Sequence, residues 1–158
     1  MRLRVIAAAL AATAAAVIPA AGTAHAAVQP ASCSTIDIGD PGQMWISNQY
    51  VGEVEQQYDS CTHLVIAHWQ WAGSWQQAHN GSTSVTVYVQ ASQAAGFVQS
   101  GKSIAPDTQK DVSAAIDVHA ATPDQWLAEA VVNYCGTHGT LHDYSNGGTL
   151  DGPHPTHC

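Results

Sequence analysis

The sequence predicts an all-β domain, an antiparallel β-sandwich or small barrel closed by disulfides. From Trp45 onward the apolar residues recur with period two, and no stretch sustains a 3.6-residue period. Short alternating runs are separated by Gly, Asn and Ser turn residues, the layout of sandwiches and barrels. Four cysteines lie beyond an export leader, an even number that reads as two bridges. With 158 residues, 46% hydrophobic and 10% charged, the chain fits one compact domain and not an acidic disordered polymer.

Met1-Arg2-Leu3-Arg4, the Ala-rich run from Val5 to Ile18 and the small residues of Ala24-His25-Ala26 have the three parts of a secretory signal peptide. Residues 1–26 are therefore expected to be removed after Ala26. The run is short and Ala-rich for a retained membrane anchor, and no Cys follows the cleavage site to take a lipid. Cleavage leaves Lys102 and Lys110 against twelve acidic residues, a formal charge of −10. Two cations cannot neutralise a row of phosphates, so nucleic acid is excluded as a partner, and anionic lipid is disfavoured on the same ground. No membrane association is expected after cleavage.

Residues 27–43, with Pro30 and Pro41 and little periodicity, read as an extended N-terminal arm tied down at Cys33. The β domain is expected over 44–136. Its first strand runs from Val51 to Tyr58, with Val54 and Tyr58 on one face and Glu53 and Glu55 on the other. Tyr58-Asp59-Ser60-Cys61 turns it into a second strand from Thr62 to Trp71, which places His63, Val65, Ala67, Trp69 and Trp71 in one row. Asn80-Gly81 suits a type I′ turn and precedes Ser84 to Ala91, where Val85, Val87 and Val89 alternate with Thr86, Tyr88 and Gln90. Further strands are expected at Gly96–Ser100 and Val112–Ala120.

Residues 123–134 admit two conformations. Thr122-Pro123-Asp124-Gln125 is a good helix start, and one short helix could follow. A strand would instead align Trp126, Ala128, Ala130, Val132 and Tyr134 on one face and would suit an otherwise β chain, and the strand is the expectation. Residues 137–158, rich in His, Gly and Pro, read as a C-terminal loop pinned by Cys158.

Cys33, Cys61, Cys135 and Cys158 allow three pairings. Cys33 with Cys61 and Cys135 with Cys158 close local loops, each contributing roughly 3–4 kcal/mol on a chain-entropy estimate. A Cys61 to Cys135 bridge between core strands is the competitor.

Four tryptophans, Trp45, Trp69, Trp71 and Trp75, are candidate binding residues. Exposed, they would form a stacking platform for sugars or a protein-binding patch; buried, they are simply core. His138, His142, His154 and His157 form a candidate metal set with enough imidazole for Zn²⁺ or Cu²⁺, although a Gly- and Pro-rich tail offers little to orient them. No other cofactor is suggested. Glu53 and Glu55 lie about 7 Å apart on strand geometry, a spacing reminiscent of glycosidase pairs, but a general acid needs burial and these sit on an open strand face. Asp117 and His119 are in the same position. There is no Gly-x-Ser-x-Gly elbow or His-Glu-x-x-His, so no catalytic residue is assigned.

The stretch Gly52-Glu53-Val54-Glu55-Gln56-Gln57-Tyr58-Asp59-Ser60-Cys61-Thr62-His63-Leu64-Val65-Ile66-Ala67 resembles G-x-V-x-L-x-Y-x-x-x-C-x-x-x-W-A of small secreted actinomycete β-rich proteins of uncharacterised function. The chain departs from that pattern at Gln56 in place of Leu, at Cys61 one position early, and where Val65-Ile66 stands in place of an aromatic. Some secreted actinomycete proteins of this size are adaptors, with an extended arm, inside multi-protein toxin particles. The missing catalytic constellations and the Trp-rich strands point to a non-enzymatic extracellular binding protein whose partner is another secreted protein, and the resemblance implies that it could be such an adaptor. A carbohydrate-binding module acting on polysaccharide is the alternative, and a small hydrolase or metal-binding protein the third.

Overall fold

The computed structural model describes residues 33–158. The expected signal peptide and residues 27–32 of the expected arm lie outside that range. Twelve strands and one short helix follow in order: β1 (Thr35–Asp37), β2 (Gly42–Ile46), β3 (Gln49–Asp59), β4 (Leu64–Trp71), α1 (Gly73–His79), β5 (Ser84–Gln93), β6 (Gly96–Pro106), β7 (Asp111–Asp117), β8 (Gln125–Val132), β9 (Cys135–His138), β10 (Leu141–Asp143), β11 (Gly148–Asp151) and β12 (Thr156–His157). They form two six-stranded sheets. The first has the order β12-β2-β3-β4-β7 with β1 also on β3; the second has β11-β10-β8-β5-β6 with β9 also on β8. All pairings are antiparallel except β12 on β2.

The core lies between the sheets and follows the period-two rows. Val65, Ala67, Trp69 and Trp71 point inward from β4, Val85, Val87, Val89 and Ala91 from β5, and Trp126, Ala128, Ala130 and Val132 from β8. Burial of that last row makes Gln125–Val132 strand, with no helix there. A helix would have turned alternate members of the row away from the core. The rows stop short of their expected ends: Tyr134 lies fully exposed in the turn after β8, and His63 lies exposed in the turn before β4, both with positive φ.

The helix lies elsewhere. Gly73–His79 is a single α-helical stretch that buries Trp75, and Asn80 closes it in the left-handed conformation (φ 43°), donating its N–H to the Gln76 carbonyl at 2.9 Å. The Asn80-Gly81 pair therefore caps a helix and does not join two strands. The two-residue turns with both φ positive are Ser47-Asn48, between β2 and β3, and Asn133-Tyr134, between β8 and β9.

Two domain boundaries are corrected. From Cys33 the expected arm belongs to the sheet: β1 pairs with the end of β3 through Thr35↔Asp59 to Asp37↔Gln57, and Gly42–Ile46 is strand β2. The expected C-terminal loop of 137–158 carries the end of β9 together with β10, β11 and β12. Each of these strands is too short to show periodicity, yet each supplies backbone partners to a neighbour, and buried amides require them. The bridges are the local pair, Cys33–Cys61 and Cys135–Cys158.

The sheets meet along both sides. On one side β2 abuts β9: Thr137 Oγ1 donates to the Gln43 carbonyl at 3.0 Å, and a Cβ on Gly42 would collide with the His138 carbonyl. On the other, Gly101 of β6 faces β7, where a Cβ would lie 3.3 Å from the Ala115 carbonyl oxygen. Glycine is what lets the backbones approach so closely.

Candidate functional site

Of the four candidate tryptophans, the structure buries three. Trp69 and Trp71 pack edge to face with ring centroids 5.3 Å apart, and Trp75 stacks on His79 at 3.8 Å. Their rings fill the core from the inward row of β4 and from α1, so they form no external platform. Trp45 alone is half-buried on the outside, because it follows the inward Met44 and strand alternation turns it outward. Its indole stacks on the His157 imidazole at 4.6 Å and tilts against Tyr50 at 5.3 Å.

The four tail histidines are not brought together. His138 and His154 lie ring to ring at 4.4 Å, His142 sits edge-on to Tyr144 at 4.8 Å, and His157 covers Trp45. Among the described residues no group of three or more His, Cys, Asp and Glu is placed to hold a metal ion. The x₃ spacing of His138 and His142 would align them on a helix; here Gly139-Thr140 breaks the chain between two strands. Burial holds the His142 imidazole below its ordinary pKa, opposed by the neighbouring Asp143 carboxylate, and its Nδ1 is buried without a partner.

The outer face of the first sheet is a net of carboxylates and amides. Glu53 accepts from the Tyr50 hydroxyl at 3.0 Å and from Gln43 at 3.4 Å. One carboxylate oxygen of Glu55 is shared by Gln70 at 3.1 Å, His68 at 3.2 Å and Gln57 at 3.4 Å. In a chain with two cations beyond residue 4, amide side chains take the place of Lys and Arg beside the acids. Burial, followed by the Glu53 hydrogen bond and charge, raises the Tyr50 phenol well above its usual value. Both glutamates point the same way, as the alternation predicted, and each carboxylate is held by hydroxyl, amide or imidazole neighbours on the sheet face. Asp117 shapes a turn by accepting the His119 N–H at 2.8 Å, and the His119 ring contacts Asp124 at 3.0 Å.

The outer face of the second sheet has a different chemistry. Register places Lys102, Tyr88, Glu129 and His138 in one transverse row, and Ile104, Thr86 and Val131 in the next. Lys102 Nζ lies 5.7 Å from the Tyr88 ring centroid. Gln90 donates to the Glu129 carboxylate, whose proton affinity is raised by burial and lowered less by His138. Ile104 is 60% exposed although its strand is part of a packed sheet. The alternation of Ser84–Ala91 already turns Tyr88 outward. What the sequence does not display is that β6 and β8 flank β5, so the row could not be assembled from it.

The chain matches no known protein family, curated protein or solved structure.

Proposed function

We propose that this chain is a secreted, non-enzymatic binding protein that recognises a second exported protein through the outer face of its second sheet, and so serves as an adaptor in an extracellular assembly. The observation that carries this reading is the Tyr88 surface: a half-buried aromatic between Lys102 and Glu129, bordered by the exposed Ile104 and by Val131. An aromatic centre with aliphatic neighbours, flanked by one cation and one carboxylate, suits a protein interface, and Ile104, at 60% exposed, buries little in the fold of a lone chain. The leader sequence and the two disulfides support export. Because the expected arm is committed to the first sheet from Cys33 onward, docking is assigned to the sheet face.

A photo-crosslinking residue at position 88 or 104, in chain exported into its native medium, should capture one defined secreted protein, and the same residue at Gln57 should not. Capture at Gln57 alone would overturn the assignment.

A second reading is favoured by one observation. Trp45 and Tyr50 adjoin Gln43 and Glu53 on the first sheet, an aromatic edge beside polar acceptors and donors that suits sugar hydroxyls. Sedimentation with insoluble polysaccharide that is abolished by Trp45→Ala would move the function there.

A further inference from the structure

We propose that the open edge of β6, residues Gly96–Ser100, pairs antiparallel with the same edge of a second copy of this chain about a two-fold axis near Val98. β6 is the last strand of its sheet. Gly101 approaches Ala115 of β7, but Gly96–Ser100 has β5 as its one strand partner, and Gly96 and Phe97 pair with Gln93 and Ser92, beyond Ala91, the last β5 residue paired with β8. The N–H and C=O groups on the far side of Gly96–Ser100 have no strand partner, which is the template for strand addition.

Three further observations select this edge and this occupant. First, the usual blocks to pairing are missing: Gln93-Ala94-Ala95-Gly96-Phe97-Val98-Gln99-Ser100 contains no charge and no proline, and Phe97 and Val98 are 50% and 44% exposed. Phe97 is the single phenylalanine of the chain. Second, the other strand edges are poor templates: β12 has two residues and is tied down by Cys135–Cys158. β1 has three residues, ends in Asp37 and is tethered beside Cys33–Cys61; β11 has four, ends in Asp151 and leads into Pro153. Third, charge permits self-association here and opposes it elsewhere. None of the twelve acidic residues lies between Asp59 and Asp107, so the β5–β6 hairpin carries no carboxylate and its one charge is Lys102. Two copies of a strongly acidic chain can meet along this hairpin without bringing acids together.

A two-fold axis near Val98 makes the contact isologous, setting Gly96 near the partner's Ser100 and Phe97 near its Gln99. Strands of this length bury far less than the roughly 800 Å² per partner of a stable interface, so association is weak and concentration-dependent. The pairing does not depend on the partner proposed above. It would lay two Tyr88 faces side by side in one continuous sheet.

Sedimentation velocity on the disulfide-bonded chain recovered from culture medium tests the proposal. The weight-average mass should rise from one chain at about 10 μM toward two at about 1 mM, as expected for a small interface. Val98→Pro removes a backbone donor at the proposed axis, and Phe97→Lys places a charge on the open edge. Each should shift the association midpoint at least tenfold to higher concentration. Phe97→Lys keeps every backbone donor, so it remains decisive if the proline variant fails to fold. A chain that stays single at about 1 mM, or a dimer indifferent to Phe97→Lys, would overturn the proposal. Neither result touches the crosslinking readout at positions 88 and 104.

Discussion

Trp126 donates its indole N–H to the backbone carbonyl of Val118 at 2.9 Å. Trp126 lies on β8 of the second sheet and Val118 directly follows β7 of the first, so the bond ties the two layers from inside the core. Both residues are buried. Trp126→Phe keeps an aromatic ring but leaves the Val118 carbonyl unpaired, and should lower stability by about 1–3 kcal/mol in urea unfolding.

Asp107 is buried where α1, β5 and the β6–β7 turn converge. Its carboxylate accepts the Gly81 N–H, its N–H donates to the Thr83 carbonyl at 2.8 Å, and its own carbonyl accepts from Gln76 at 2.6 Å. Asp107→Ala should cost about 1–3 kcal/mol by orphaning the Gly81 donor. Hydrogen exchange at Asn80–Ser82 should rise before that of β4 or β5.

Two groups give opposite responses to pH. Glu129 holds its proton in the folded chain to a higher pH than its ordinary 4.5, because burial disfavours the anion. Between 4.5 and that raised value the folded state binds more protons, so stability falls as pH rises through this window. His142 is shifted down from 6.5 by burial, so the unfolded state binds more protons just below 6.5 and stability falls as pH drops through that range. In denaturant midpoints against pH, Glu129→Gln should remove the first slope and His142→Gln the second.

Only Trp45 of the tryptophans should be open to a collisional quencher, since the other four are buried. Iodide should reduce the emission of the native chain by a minor fraction. His157→Ala strips the stacked imidazole from Trp45 and should increase that fraction, and Trp45→Phe should abolish it.

Cys135–Cys158 closes 23 residues and Cys33–Cys61 closes 28. Loops of this size predict about 3.5 kcal/mol each on the chain-entropy estimate. A Cys135→Ser, Cys158→Ser pair of substitutions should lower the unfolding free energy by about that amount and release β12 from β2, seen as loss of amide protection at Thr156 and His157.

The inward rows of β4, β5 and β8 were legible in the sequence because each alternates over at least four buried positions, long enough for period two to show. The hairpin of β3 and β4 and both cystine pairs were legible for the same local reason. What failed was long-range or very short. Asn80-Gly81 carries the strongest hairpin signal in the chain, but the same left-handed residue also ends helices, and a seven-residue helix holding one buried tryptophan shows no 3.6 period. The tail strands of two to four residues have their pattern in their partners: β12 is a strand only because β2 lies beside it. Likewise the residues of the Tyr88 row come from four strands, and their adjacency is a property of sheet order. Trp69 and Trp71 sat in the predicted row; which side of that row faced the core is what decided against a sugar platform.

The abutment of Gly42 on the His138 carbonyl bears on how many molecules can assemble. By closing the β2 and β9 edges against each other, it removes a second template from the sandwich and leaves the β6 edge as the longer one open to strand addition among the described residues. Pairing through that one edge terminates growth at two chains. Substituting Gly42 with a larger residue would prise that seam apart, raise the valency of each chain, and turn a self-limiting pair into an open-ended fibre.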